Sequence, residues 1–357
     1  MSARPVRKRT SPVRVGPLVI GGRAPVAVQS MTNTRTDDVA ATVRQARRLA
    51  RAGCELVRIA VPDARAAQAL PAIRARLELP LCADVHFDHR LALAAIDAGF
   101  DKVRINPGNI GAAARVKEVI RAAAGSGVAI RVGVNAGSVH RKFLRRRGGP
   151  TPAAMVASLA ECLEPFAALG FRALVLSAKA TGVPETVAVY RELARRWRFP
   201  LHLGLTEAGL PFEGSIRSAA ALGVLLAEGI GDTVRVSLAG DPALEVAAAW
   251  ELLSALGLRR RGPSIYACPT CGRTGIDVCR LARQARRALA GCRRPVKVAV
   301  MGCVVNGPGE ARAADYGIAG GRGRGAVFAR GAVVKSVPAD RLVDELVRVM
   351  TDDGCFA

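Results

Sequence analysis

From residue 26 to residue 258 the chain repeats one pattern: a short β-branched run, a polar or glycine-bearing turn, then a stretch whose apolar positions recur with helical spacing. The runs are VAVQSM (26–31), ELVRIAV (55–61), PLCADVHF (80–87), KVRINP (102–107), AIRVGVN (129–135), ALVLSAK (173–179), LHLGLTE (201–207) and DTVRVSL (232–238). Between them lie helix starts: Thr36 ahead of VAATVRQARRLA, Asp88 ahead of LALAAIDA, Thr151 followed by Pro152, and Asp241 followed by Pro242. A side-chain oxygen there answers amides that have no partner inside the helix, and proline fits the first helical position because its missing N–H is not needed. Stops fall at Gly53, Pro80, Gly99, Gly127, Gly170, Pro200, Gly231 and Gly257. Eight alternations predict an N-terminal (β/α)8 TIM barrel over residues 1–258, with a doubly wound open sheet as the alternative.

After Leu258 the pattern breaks at RRRGPS, a basic linker containing Gly and Pro. A smaller α/β domain, 259–357, follows, with a CPTC segment, a helix over VCRLARQARRAL and a strand KVAVMG. A hairpin GAVFARGAVVKSV and a closing helix DRLVDELVRVM complete it, and the glycine-rich GGRGRG reads as a loop. The N-terminal SARPVRKRTSP reads as a flexible tail.

Composition narrows the function classes. The nine cysteines are odd in number and unevenly spread, and no signal peptide is evident. That argues for a reducing compartment and for thiols used as ligands rather than a disulfide framework. No apolar run is long and charge-free enough to span a bilayer, so the expectation is a soluble cytoplasmic protein without a membrane partner. The net charge of +24 is carried almost wholly by arginine, the side chain suited to bidentate contact with phosphates and carboxylates. Solvated basic helix faces account for part of it. Nucleic acid is disfavoured, because aromatics are 4% of the chain and the arginines are spread along its whole length.

In such a barrel the active site forms at the carboxyl ends of the strands. Those ends offer Arg58, His86, Arg104 with Asn106, Arg131 with Asn135, Lys179, Thr206 with Glu207, and Arg235 with Ser237. Four arginines and a lysine at one mouth call for an anion, because like charges gathered in a dry site are costly unless neutralised. The expected ligand is a diphosphate. With no P-loop and no strand-linked GxGxxG, a small phosphorylated metabolite fits better than a nucleotide.

The remaining chemistry is in CPTCGRTGID (268–277) and MGCVVNGPGE (301–310). Cys268 and Cys271 in CxxC spacing, with Cys303 beyond a strand, fit a [4Fe-4S] cluster with one iron open. They also fit a structural zinc site completed by Cys279 or Cys292, the rival being a phosphate-binding aldolase or synthase with Lys179 as Schiff-base nucleophile. RKFLRRR (141–147) is a basic loop suited to docking an acidic protein.

Taken in order, VQSMTNT, ADVHFD, KVRINPGNIG, RVGVNAGS, HLGLTEAG, EGSIRSAAALGVLLAEGIGDTVRVSL, CPTCGRTGID and VMGCVVNGPGEA resemble the bacterial 4-hydroxy-3-methylbut-2-enyl diphosphate synthase family over residues 10–350. The resemblance implies a barrel followed by an iron-sulfur domain, in the short two-domain form. It implies reductive ring opening and dehydration of 2-C-methyl-D-erythritol 2,4-cyclodiphosphate in isoprenoid biosynthesis. By the same resemblance, Cys268, Cys271, Cys303 and Glu310 hold a [4Fe-4S] cluster, with Glu310 displaced by substrate. Arg58, His86, Arg104, Arg131, Asn135, Lys179, Thr206, Arg235 and Ser237 would bind the cyclodiphosphate, and Glu207 or Glu310 would supply a proton. Ferredoxin or flavodoxin would be the electron donor. A homodimer would be expected, the cluster domain of one subunit capping the barrel of the other. Tyr316 departs from the family pattern, where a smaller residue is more familiar.

Overall fold

The structure is a computed structural model describing residues 6–303, 309, 314–321 and 323–356, and it divides into two compact units, Met1–Arg259 and Arg260–Ala357. The first opens with a small antiparallel hairpin, β1 (Val13–Val15) and β2 (Leu18–Ile20). Eight parallel strands follow: β3 (Ala27–Met31), β4 (Leu56–Val61), β5 (Leu81–Val85), β6 (Lys102–Ile105), β7 (Ala129–Asn135), β8 (Leu174–Lys179), β9 (His202–Leu203) and β10 (Thr233–Val234). Their order is β8-β7-β6-β5-β4-β3-β10-β9, and a bridge from Leu176 to Leu201 closes the ring. Closure decides between the two sheet topologies in favour of the barrel. The last two strands keep only two residues each, so Thr206, Glu207, Arg235 and Ser237 stand in the loops beyond them.

The helices packed around the ring are α1 (Val39–Ala52), α2 (Ala64–Arg74), α3 (His89–Asp97), α4 (Ala113–Gly125), α6 (Pro152–Ala168), α7 (Val183–Arg196), α8 (Pro211–Ala227) and α9 (Pro242–Ala255). Asp88, Thr151 and Asp241 cap α3, α6 and α9 through their side chains. At α1 the cap is Asp38, which accepts from the Ala41 amide, and not Thr36, whose hydroxyl donates to the Ala60 carbonyl. The basic segment Arg141–Arg147 is a short helix, α5, rather than a loop.

Of the N-terminal segment read as a flexible tail, residues 7–12 are tied to the barrel. The Lys8 amide donates to Gly229 O at 2.9 Å and the Ser11 amide to Arg198 O at 2.7 Å. Arg7 and Thr10 both reach the buried carboxylate of Asp232. The hairpin beyond them packs Val13, Val15 and Ile20 against Leu56, Cys82, Ala129 and Val175, the lowest inward-facing residues of four strands. A barrel needs a plug at its lower end, and this chain supplies it from a stretch too short and basic to show periodicity.

The second unit is a five-stranded sheet, β11 (Ser264–Ala267), β12 (Lys297–Met301), β13 (Tyr316–Gly320), β14 (Arg324–Ala329) and β15 (Ala332–Pro338), in that order. The first three are parallel and the last two form an antiparallel hairpin. One face is covered by α10 (Val278–Ala288) and α11 (Leu342–Asp352), whose Leu281, Ala285, Leu342, Leu346 and Met350 meet Val298, Val300 and Ile318. β11 and β13 escape the sequence pattern: one is a four-residue run directly after the linker, and the other reads YGIAG. Gly317 is required there, since a Cβ would stand 2.9 Å from the Ala299 carbonyl oxygen. Tyr316 donates its hydroxyl to Asp353 at 2.7 Å. Among the described residues no helix is long and apolar enough to cross a membrane.

Candidate active site and thiol centre

Strand geometry builds the barrel site. Side chains alternate across a strand, so residues two apart share the inner face. On β6 this sends both Lys102 and Arg104 inward, and on β7 Arg131 and Asn135. Parallel register sets Asp84, Arg104 and Arg131 side by side on three neighbouring strands. A cavity of about 330 Å3 results, lined by Arg58, His86, Arg104, Arg131, Asn135, Ser177, Lys179, Leu205, Thr206, Glu207, Arg235 and Ser237. The structure thus gathers the nine candidate substrate-binding residues and Glu207 around one space. Arg58 and Arg131 are not at strand ends, however: each is the third residue of its strand, and Arg131 is only 2% exposed.

Counter-charges are few. Asp84 lies 3.5 Å from Arg58, 3.4 Å from Arg104 and 3.5 Å from His86, and Arg104 also contacts the His86 imidazole. Burial works to raise the Asp84 carboxyl, but Arg58, the His86 hydrogen bond and Arg104 together hold it well below the usual carboxylate range. Arg235 is gripped in a bidentate pair by Glu245 of α9, at 2.9 and 3.0 Å, and Glu245 also accepts from Ser30 Oγ. Arg131 and Lys179 have no carboxylate partner among the described residues, and Nε and Nη1 of Arg131 are buried without a hydrogen bond. Burial, followed by the neighbouring arginines, lowers Lys179 well below its ordinary value; burial and Arg58 lower Arg131. Such a cage is costly until an anion enters it. Gly204 makes room for it, since a Cβ there would lie 2.7 Å from Lys179 Nζ and 2.8 Å from the Arg235 carbonyl.

Sequence reasoning missed Asp84, Ser177, Glu245 and a polar layer beneath the cavity. In that layer Lys102 reaches Gln29 Oε1 at 3.4 Å, and His202 shares a hydrogen bond with Thr233. The signal for Asp84 and Ser177 was present: each precedes a named residue, His86 or Lys179, by two on the same inner face. Glu245, on a helix, offered none. Glu207 has a left-handed backbone, φ 56°, as does Phe87 (φ 65°) beside His86, the kind of strain that clusters at functional sites.

In the second unit, Cys268 follows β11 and Cys303 follows β12, two adjacent parallel strands. The Gly302 amide donates to Cys268 Sγ at 3.3 Å, and the Gly275 amide returns to the Gly302 carbonyl at 2.9 Å. Thr274 accepts from the Cys271 amide at 3.0 Å and fixes the turn between them. These three thiols are free of disulfides, and sulfur is the ligand type a cluster of this kind takes, so the donor set fits one by chemistry. Among the described residues no three His, Cys, Asp or Glu side chains converge as a metal-holding group. Cys292 is buried in the core and Cys279 is exposed on α10. Glu310 lies outside the described residues.

Fold and site together define an anion-binding (β/α)8 barrel joined to a thiol-bearing α/β unit. Residues 10–250 match the family model described as the GcpE TIM-barrel domain and residues 264–352 that of the GcpE protein C-terminal domain. The chain belongs to the GcpE family. A relative from Lawsonia intracellularis is 50% identical over 348 residues, 98% of this chain and 96% of its own. One from Geobacter sulfurreducens is 50% identical over 351 residues, 97% and 99% of the two chains. Both are named 4-hydroxy-3-methylbut-2-en-1-yl diphosphate synthase (flavodoxin). The dihydropteroate synthase of Stenotrophomonas maltophilia, 18% identical with a TM-score of 0.50, covers 69% of this chain and 99% of its own, and shows the barrel fold alone. Family membership favours the reductive reading over the zinc-stapled aldolase.

Proposed function

We propose that the chain converts 2-C-methyl-D-erythritol 2,4-cyclodiphosphate into 4-hydroxy-3-methylbut-2-en-1-yl diphosphate, taking two electrons from flavodoxin, the donor in its relatives' names, and releasing one water. The observation that carries this reading is the buried cation cage, with Arg131 lacking partners at two nitrogens.

Arg58, Arg104, Arg131, Lys179 and Arg235 hold the diphosphate, with Asn135, Thr206 and Ser237 completing its hydrogen bonds from the rim. Opening the ring by C–O cleavage concentrates charge on the departing phosphate oxygen. Guanidinium groups already fixed around that oxygen stabilise it without reorganisation. Asp84 bridges Arg58 and Arg104 and offsets their repulsion, and Glu245 anchors Arg235 in a bidentate pair. Burial and the neighbouring arginines lower Lys179, and an anion in the cage would act in the opposite direction by favouring its charged form. Glu207 at the cavity wall is the first choice to protonate the departing hydroxyl, with Glu310 the other.

Cys268, Cys271, Cys303 and Glu310 would hold a [4Fe-4S] cluster, which when bound supplies electrons singly and a Lewis-acidic iron. The setting is a reducing cytoplasm, consistent with nine free thiols. The working form is a homodimer, for which exposed Leu210, Phe212 and Ile216 around the start of α8 offer an apolar face.

The test is iron, acid-labile sulfide and zinc content of anaerobically purified protein beside Cys303→Ala, followed by cyclodiphosphate turnover with reduced flavodoxin. About four irons and four sulfides per chain, lost in the variant, is the expected result. Stoichiometric zinc without iron after reconstitution would sink the reading.

A further inference from the structure

Helix α10 follows directly on the thiol turn. Its first residue, Val278, packs so closely on Gly302 that a Cβ at Gly302 would lie 2.8 Å from it and 3.4 Å from Cys268 Sγ. The helix is therefore anchored to the backbone that donates to that sulfur. Its buried stripe is Val278, Leu281 and Ala285, and its outer face exposes Arg280, Arg283, Arg286 and Arg287. Between residues 260 and 297 Asp277 is the sole acid, against nine arginines and Lys297.

Several surface arginines elsewhere are paired with carboxylates. In the barrel unit Arg191 pairs with Glu228, Arg195 and Arg196 share Glu192, and Arg48 pairs with Asp241. Within the thiol unit Arg330 meets Asp353, while Lys335 and Arg348 share Glu345. None of the four α10 arginines has a carboxylate partner among the described residues. Spaced three and four apart, they repel one another along the helix. The helix dipole accounts for Arg286 and Arg287 in the last turn, but it disfavours Arg280 in the first. Folding therefore gains little from Arg280 and Arg283.

We propose that the arginine face of α10 is the docking surface for the acidic protein that delivers electrons, placing the carrier against the helix whose root holds Cys268. This rests on the proposed function. It assigns docking to α10 rather than to α5, which belongs to the barrel unit and not to the unit that carries the thiol turn. Attraction between exposed charges speeds encounter and is screened by salt.

The experiment measures the affinity of oxidised flavodoxin for the cluster-loaded enzyme by calorimetry at low and physiological ionic strength. The comparison is wild type, Arg283→Glu/Arg287→Glu, Arg283→Gln/Arg287→Gln, and Arg145→Glu/Arg147→Glu in α5. Reversal on α10 is expected to weaken Kd at least tenfold at low salt, neutralisation by less, and reversal on α5 by under twofold. Iron content and turnover with a small chemical reductant should stay unchanged in all. An unchanged Kd in both α10 variants, or a loss confined to the α5 variant, would overturn the assignment. Wild-type protein that binds flavodoxin but gives no turnover with any reductant would count against the proposed reaction while leaving the docking surface standing.

Discussion

The two units use arginine in opposite ways. In the barrel, Arg58, Arg104, Arg131 and Arg235 line the cavity, Arg104 and Arg131 buried and the other two nearly so, with Asp84 and Glu245 as their nearby counter-charges. On α10 the arginines are fully hydrated and have no counter-charge among the described residues. Buried cations short of partners store a large penalty, which a small anion entering the cage relieves. Exposed cations store almost none, because water and salt screen them, so they suit a large partner that must arrive quickly and leave again. Burial, more than charge count, distinguishes a ligand site from a docking face.

The sharpest way to break this comparison is Arg131→Leu. It should lower kcat/KM by an amount on the order of 2–4 kcal/mol of transition-state stabilisation, and yet raise the melting temperature of the ligand-free protein, since an unpartnered buried charge is removed. Steady-state kinetics beside calorimetric unfolding check both, and a variant that loses activity and stability together would refute the strained-cage reading.

Lys102 tests the same idea below the cavity. It is fully buried, and burial lowers its pKa to about 8 from 10.5. Below pH 8 both folded and unfolded chains hold the proton, and the folded chain bears the whole cost of the buried charge. Between pH 8 and 10.5 the folded chain sheds it first, so stability rises with pH. Lys102→Met should therefore be more stable than wild type at pH 7 by up to about 3 kcal/mol, an advantage that shrinks toward pH 10. Denaturant unfolding across that range decides it, and a pH-independent difference would mean that Lys102 keeps its proton in the folded chain throughout, with no lowering of its pKa.

The smallest expected effect is on α10. Arg283→Gln should change stability by about 0.5 kcal/mol or less, slightly upward, because it relieves repulsion between exposed like charges. A change as large as that at Arg131 would show that the two sets do not differ in kind.

Much of the barrel site was legible in the chain because parallel strands impose a period of two and a fixed register, so polar residues set into β-branched runs had only one interior to share. What escaped has physical causes too. The plug residues Val13, Val15 and Ile20 belong to strands too short to show a period. Glu245 reaches Arg235 from a helix, by a contact no spacing announces. Thr36 was read as the cap of α1 although Asp38 satisfies the amide, because both stand at a plausible distance before the first turn.

By itself the sequence determined the eightfold β/α alternation, the thiol pair in one turn, the reaction family and the identity of the cations, since all of these follow from residue type and local spacing. Only the tertiary structure decided which charges are buried and which are not, which carboxylate answers which guanidinium, and that the hairpin of residues 13–20 closes the barrel floor. Those depend on contacts between segments far apart in the chain, whose energies are set by burial rather than by neighbours in sequence.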